Sequence, residues 1–235
     1  MIPVDILARV PLMPVLLAQA IAVRRKALIL PEPPGARHGN AGTGPSLRVL
    51  IAGDSSAAGV GAPTQDAALS GQLVSALSMH FAVTWRLEAA TGATTKTALA
   101  RLTHLSAEPF DIAVLALGVN DVTRLVPRAQ WAARQLALHR MLADRFGVRH
   151  IYASGVPPMH LFPLLPQPLR WVLGCQSVRL NVALAGIAAQ NAHLSHIPFD
   201  FPPDPAYVAK DGYHPSPLAY THWAKALSRR IVHDQ

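Results

Sequence analysis

Arg48-Val49-Leu50-Ile51-Ala52-Gly53-Asp54-Ser55-Ser56-Ala57-Ala58-Gly59 is the stretch that decides the fold. An apolar run of strand length stops at a glycine, and a small, polar, loop-forming segment follows at once. Asp66–Met79 comes next with apolar residues at helical spacing. Working outward, the same alternation repeats. Phe81–Ala89, Ile112–Leu117 and His150–Ser154 are expected strands, with a weaker one near His196–Phe199. Thr95–Leu105, Gln130–Arg145, Ser177–Ala189 and Pro217–Val232 are expected helices. Strand and helix in alternation imply a parallel sheet covered on both faces, here a three-layer α/β/α sandwich with a flavodoxin-like sheet of about five strands. No internal repeat interrupts the pattern.

Composition agrees with a single such domain. The chain has 235 residues, 51% hydrophobic and only 14% charged, a balance that suits a buried sheet and excludes a disordered chain. The formal charge of +8 raises nucleic acid or an anionic surface as partners. The basic residues are mostly isolated arginines, however, and Arg24-Arg25-Lys26 is the one cluster. No basic stripe is interleaved with aromatics, so no nucleic-acid surface is expected. The single cysteine, Cys175, allows no internal disulfide and is expected to be a small core hydrophobe.

The chain divides into residues 1–30, an apolar N-terminal helix, 31–46, a linker, and 47–235, the main domain. Val10–Val23 is almost wholly apolar, and a helix over Pro14–Leu28 is expected. Three readings of it stay open: a helix packed on the domain, an interfacial helix making peripheral membrane contact, or an export signal. Ala18-Gln19-Ala20 resembles a signal-peptidase site, but the basic cluster follows the apolar run instead of preceding it. A cytoplasmic or membrane-peripheral location is therefore expected over export. Pro31–Ser46 holds four prolines and four glycines without apolar period, the composition of an exposed linker.

In parallel sheets ligands bind beyond the carboxyl ends of the strands. Gly53-Asp54-Ser55 stands there after the first strand, Gly118-Val119-Asn120-Asp121 after the third, and Asp211-Gly212-Tyr213-His214-Pro215 before the last helix. Three polar segments in a chain poor in charge suggest one site assembled from distant sequence. Serine, histidine and aspartate are the parts of an activated hydroxyl: a serine is a weak nucleophile until a base takes its proton, and a carboxylate fixes the tautomer of that base. Each residue also has a plainer role open to it. Ser55 is a good helix cap, Asn120 a turn residue, and Asp54 and Asp121 suit capping of loop amides.

Together these segments resemble the four blocks of the SGNH hydrolases, the GDSL-type lipases and esterases, with Gly92 in Ala89-Ala90-Thr91-Gly92-Ala93 supplying the glycine block after the second strand. The resemblance runs from Leu47 to the last helix and implies a carboxylic ester hydrolase that uses no cofactor or metal. It implies Ser55 as nucleophile, His214 as general base and Asp211 as the carboxylate orienting it. It further implies an oxyanion hole from the Ser55 and Gly92 amides and the Asn120 side chain. A glycine at position 92 lets backbone and substrate approach closely, and Pro215 suits a helix start. The implied partner is a small ester or lipid, and a catalytically idle binding module on the same fold is the alternative.

Other chemistries lack their motifs. There is no GxxxxGK[ST] for phosphate, no HExxH for zinc and no GxSxG elbow. Val156–Leu173, rich in proline and leucine, is expected to be a long apolar loop that walls a substrate site or packs over the core. Phe162, Leu165 and Trp171 are its candidate substrate contacts, and Arg124 or Arg170 a candidate contact for an anionic group.

Overall fold

In the computed structural model, which describes residues 3–202 and 204–235, six strands form one sheet. The strands are β1 (His38–Ala41), β2 (Ser46–Gly53), β3 (Ala82–Ala89), β4 (Ile112–Ala116), β5 (His150–Ser154) and β6 (Leu194–Ile197). Their order is β1-β3-β2-β4-β5-β6. All neighbours are parallel except β1, which runs antiparallel to β3. The helices are α1 (Val4–Lys26), α2 (Leu69–Leu77), α3 (Thr95–Thr103), α4 (Val119–Thr123), α5 (Arg128–Phe146), α6 (Leu169–Ala189) and α7 (Pro217–Asp234).

Side chains alternate across the strands, so the central strands β2, β4 and β5 each feed two cores. Leu50, Ala52, Leu115 and Ala153 point to the face covered by α3, α5 and α6, where they meet Leu102, Trp131, Leu138 and Leu180. Val49, Ile51, Val114 and Tyr152 point to the face covered by α2 and α7, among Leu73, Tyr220 and Leu227. β4 is buried along its whole length, the pattern of a central parallel strand covered on both sides.

The five parallel strands are those expected from the sequence, in the flavodoxin-like order, but three segments differ. Pro31–Ser46 is not simply an exposed linker. Its His38–Ala41 forms β1, Pro33 is buried, and the Gln65 amide donates to Pro34 O at 2.9 Å. The reason is the free edge of β3, which offers backbone partners to a segment with no apolar pattern of its own. α1 begins at Val4, ten residues before the expected Pro14, and carries Pro11 and Pro14 inside it. α6 begins at Leu169, so the last part of the expected apolar loop is helical. An almost uninterrupted apolar run masks helical periodicity, and the helix starts directly after Pro168. Cys175 lies on α6 and is partly exposed, not a core residue. The helix-start proline is Pro217, behind the Ser216 cap; Pro215 instead bridges Val208.

Candidate active site

Four loops meet at the carboxyl end of the sheet. The first leaves β2 through Gly53, where a Cβ would lie 2.3 Å from Ala116 O and 2.5 Å from Ala57 Cβ, so only glycine lets the chain turn this tightly against β4. Asp54 and Ser55 follow in a succession of turns, and the next α-helix starts only at Leu69. Ser55 therefore does not cap it. Asp54 accepts the amide and hydroxyl hydrogens of Ser56 at 2.9 and 2.7 Å, which holds the turn closed.

The last loop is built on a small antiparallel bridge between Val208 and Pro215. Gly212 takes a positive φ of 70°, and the Ala209 amide donates to His214 O at 2.8 Å. Within it Asp211 is buried. Its Oδ1 accepts the amides of Tyr213 and His214, both at 3.0 Å, and its Oδ2 lies 2.5 Å from His214 Nδ1. The opposite ring nitrogen, Nε2, lies 2.9 Å from Ser55 Oγ. Burial pushes the Asp211 carboxyl upward, but the hydrogen bonds from the His214 ring and the two amides outweigh it and hold the group below the usual carboxylate range.

Gly92 and Asn120 approach the same place from β3 and β4. Gly92 has φ +79°, and a Cβ built on it meets nothing within 4 Å. Its glycine is required by backbone conformation, and the space over it is open. Asn120 Nδ2 donates to Ala93 O at 3.0 Å, tying the Gly92 loop to α4. Gly118 begins α4 at φ 138°, where a Cβ would collide with Val156 at 2.5 Å. Asp121 is fully buried and accepts from both the Thr95 amide and hydroxyl at 2.9 Å, locking α3 to α4.

Beside Ser55 and His214 opens an apolar cavity of about 270 Å³. Pro157–Pro163 forms one wall, with Leu161 and Phe162 on it; Phe199, Phe201, Val208 and Trp223 form the other. Of the candidate substrate contacts, Phe162 faces this cavity. Leu165 does not: it is buried in the core between sheet and α6. Trp171 faces outward from α6, away from the cavity, because the segment carrying it is helical. Arg170 spends its guanidinium on Leu165 O and Pro163 O, pinning the loop, and neither it nor Arg124 lines the cavity. The aromatic wall from Phe199 to Trp223 was not anticipated. The aromatic content of Phe199, Phe201 and Tyr207, close together in an otherwise polar and proline-rich run, was the available signal. Among the described residues no group of three or more His, Cys, Asp or Glu side chains is placed to hold a metal ion.

Solved structures share this architecture. A carbohydrate esterase family 2 enzyme with its carbohydrate-binding domain, from Corynascus thermopiles (Myceliophthora fergusii), aligns with TM-score 0.65 at 15% identity, over 81% of this chain and 68% of that one. The psychrotrophic esterase EstA of Pseudoalteromonas sp., in a form inhibited by monoethylphosphonate, aligns with TM-score 0.59 at 19% identity, over 80% and 99%. The acetylxylan esterase Axe2 of Geobacillus stearothermophilus aligns with TM-score 0.58 at 18% identity, over 81% and 95%. No curated protein sequence matches. The sequence model of the GDSL-like Lipase/Acylhydrolase family matches residues 51–222, from β2 through the loop of His214 into α7. The chain therefore belongs to the GDSL-like lipase/acylhydrolases, the SGNH hydrolases, and its chemistry is the hydrolysis of carboxylic esters.

Proposed function

We propose that the protein hydrolyses esters with an apolar acyl chain through an acyl-enzyme on Ser55. The observation that carries this reading is the continuous chain of contacts from Asp211 Oδ2 through both His214 ring nitrogens to Ser55 Oγ, opening onto an apolar cavity. Ser55 Oγ bonds to the ester carbonyl carbon as its proton passes to His214 Nε2. The carbonyl oxygen takes up the electron pair and becomes an oxyanion. Collapse of this intermediate expels the alkoxide, which leaves with the proton from Nε2. Water then repeats the sequence on the acyl-enzyme, releasing the acid and restoring Ser55. Asp211 holds the ring in the tautomer that keeps Nε2 free to accept, and stabilises the imidazolium.

The oxyanion would be met by three donors, the usual means of stabilising such charge. Among the described residues neither the Ser55 nor the Gly92 amide donates to another protein group, so both are available. Asn120 has two amide hydrogens, and Ala93 O occupies one. The cavity wall of Leu161, Phe162, Phe199 and Phe201 supplies apolar surface for the acyl chain. A panel of p-nitrophenyl esters from acetate to palmitate, with an acyl-CoA alongside, tests the reading. Hydrolysis that improves beyond acetate, with a fluorophosphonate probe labelling Ser55, is expected; labelling of Cys175 or a different serine would overturn it.

A further inference from the structure

α1 is amphipathic in the wrong sense for water. Asp5, Arg9, Leu12, Leu16, Gln19 and Val23 recur at intervals of four and three and form the stripe that faces the body of the protein. The polar members of that stripe are all engaged there. Arg179 of α6 grips Asp5 with both guanidinium nitrogens at 2.7 and 2.6 Å, and Arg9 reaches Asp5 at 3.0 Å and Gln176 at 3.1 Å. At the other end Gln19 donates to Gln167 O at 2.5 Å and accepts the Leu169 amide at 3.0 Å.

The outward side, by contrast, is entirely apolar until the last turn. Val4, Leu7, Val10 and Leu17 are 74%, 58%, 77% and 59% exposed, and no charged residue occurs between Arg9 and Arg24. The neighbouring α6 also exposes apolar side chains, with Trp171, Val178 and Val182 on a common face of that helix. A helix in water turns its polar side chains outward; here they turn inward and the hydrocarbon faces out. Contiguous apolar surface of this kind marks a face that is covered in use.

We infer that α1 and the outer face of α6 bind an anionic phospholipid bilayer, with α1 lying along the membrane surface while it remains docked on the domain. The lipid charge follows from Arg24, Arg25 and Lys26, all exposed at the end of the apolar face, and from the net charge of +8. The helix lies flat and does not cross. Its 23 residues span about 34 Å, enough to cross, but crossing would strip Asp5 and Arg9 from Arg179 and Gln176 and carry them into hydrocarbon. The attachment also ties α1 to the site: Gln19 is bonded to the segment that leads into α6 from the cavity wall carrying Leu161, which is 48% exposed.

The test is co-sedimentation of the full chain with phosphatidylcholine vesicles, with and without phosphatidylglycerol. Binding that rises with phosphatidylglycerol and falls with salt is expected. R24A/R25A/K26A should weaken it about a hundredfold, since each basic residue near an anionic surface contributes about a factor of five. V10D/L17D alters only the outward face and should abolish binding to both vesicle types, while its melting temperature and short-chain ester hydrolysis match the parent. V182D on α6 gives an independent check should V10D/L17D fold poorly. Equal binding by parent and V10D/L17D would overturn the inference, as would parent that ignores vesicles and instead forms a dimer that V10D/L17D dissolves. Protease protection of the N-terminus inside sealed vesicles would overturn the flat orientation.

Discussion

His214 Nδ1 lies 2.5 Å from Asp211 Oδ2, and the other oxygen of that carboxylate is held by the amides of His214 and Tyr213. The carboxylate that orients the ring is thus itself oriented by the backbone of the same short loop. Asp211→Asn keeps the shape but can present an amide N–H to the ring, favouring the wrong tautomer. It should lower kcat by about a thousandfold to ten-thousandfold with circular dichroism unchanged. Its stability should respond too. The Asp211 carboxyl is held below its ordinary value, so its contribution is present above the ordinary carboxylate range and is lost as pH falls through and below that range. Asp211→Asn should remove that part of the acid sensitivity, which urea melts at a series of pH values would detect.

Ser55 and His214 act as one unit if the 2.9 Å contact between them carries the proton. Ser55→Ala and His214→Ala should each lower kcat by about 10⁵-fold or more, and the double variant should be scarcely worse than either. Additive losses in single-turnover assays would sink the shared role.

In the proposed mechanism Asn120 has two tasks for one amide, because Nδ2 also fastens Ala93 O at 3.0 Å. Loss of one oxyanion donor typically costs about a hundredfold to a thousandfold, so Asn120→Ala should lower kcat by at least that factor with little change in KM. Gly92→Ala provides the comparison. A methyl there meets nothing within 4 Å, but φ +79° is strained for alanine, so the loop should shift and stability should fall by about 1 kcal/mol. An Asn120→Ala variant as stable as the parent, yet slow, would separate donation from tethering.

The sheet was legible because parallel strands buried on both faces are apolar runs, and β2, β4 and β5 are such runs bounded by polar loops. β1 was not, since His38-Gly39-Asn40-Ala41 has no strand pattern and pairs only because β3 leaves an edge free. The start of α6 was hidden by uniform hydrophobicity. At the site, Ser55, Gly92, Asn120, Asp211 and His214 stood in polar segments at element ends, where a motif is visible. The cavity wall had no motif. Phe199, Phe201 and Trp223 come together through tertiary packing, and the aromatic clustering of Phe199, Phe201 and Tyr207 is their one trace in the sequence.

Phe162 and Leu165 are three residues apart and serve different purposes. Phe162 lines the cavity and packs edge-on against Tyr213 at 5.1 Å, whereas Leu165 is 2% exposed in the core. Phe162→Ala should raise KM for long-chain esters by about tenfold or more, the equivalent of about 1–3 kcal/mol of lost apolar contact, and leave acetate hydrolysis nearly unchanged. Leu165→Ala should cost about 2–5 kcal/mol of stability with chain-length preference intact. A chain-length shift in Leu165→Ala, without lost stability, would return that residue to the substrate site.

Asp54 should give the opposite pH signature to Asp211. It is 2% exposed, and burial raises its carboxyl against the hydrogen bonds from Ser56, to about 6. A carboxyl that holds its proton more tightly when folded gives a native state that binds more protons than the unfolded chain between about pH 4 and pH 6. Stability from this group therefore falls as pH rises through that window, by about 3 kcal/mol in all for a shift of this size. Asp54→Asn retains an oxygen for the Ser56 amide and hydroxyl but carries no charge to bury. It should match the parent near pH 4 and exceed it in stability at pH 8, with the loop of Ser55 undisturbed. Guanidinium melts across that range read the difference directly. An Asp54→Asn protein less stable than the parent at pH 8 would mean that the ionised carboxylate is compensated inside the fold, and that its charge is part of what holds the Gly53–Ser56 turn.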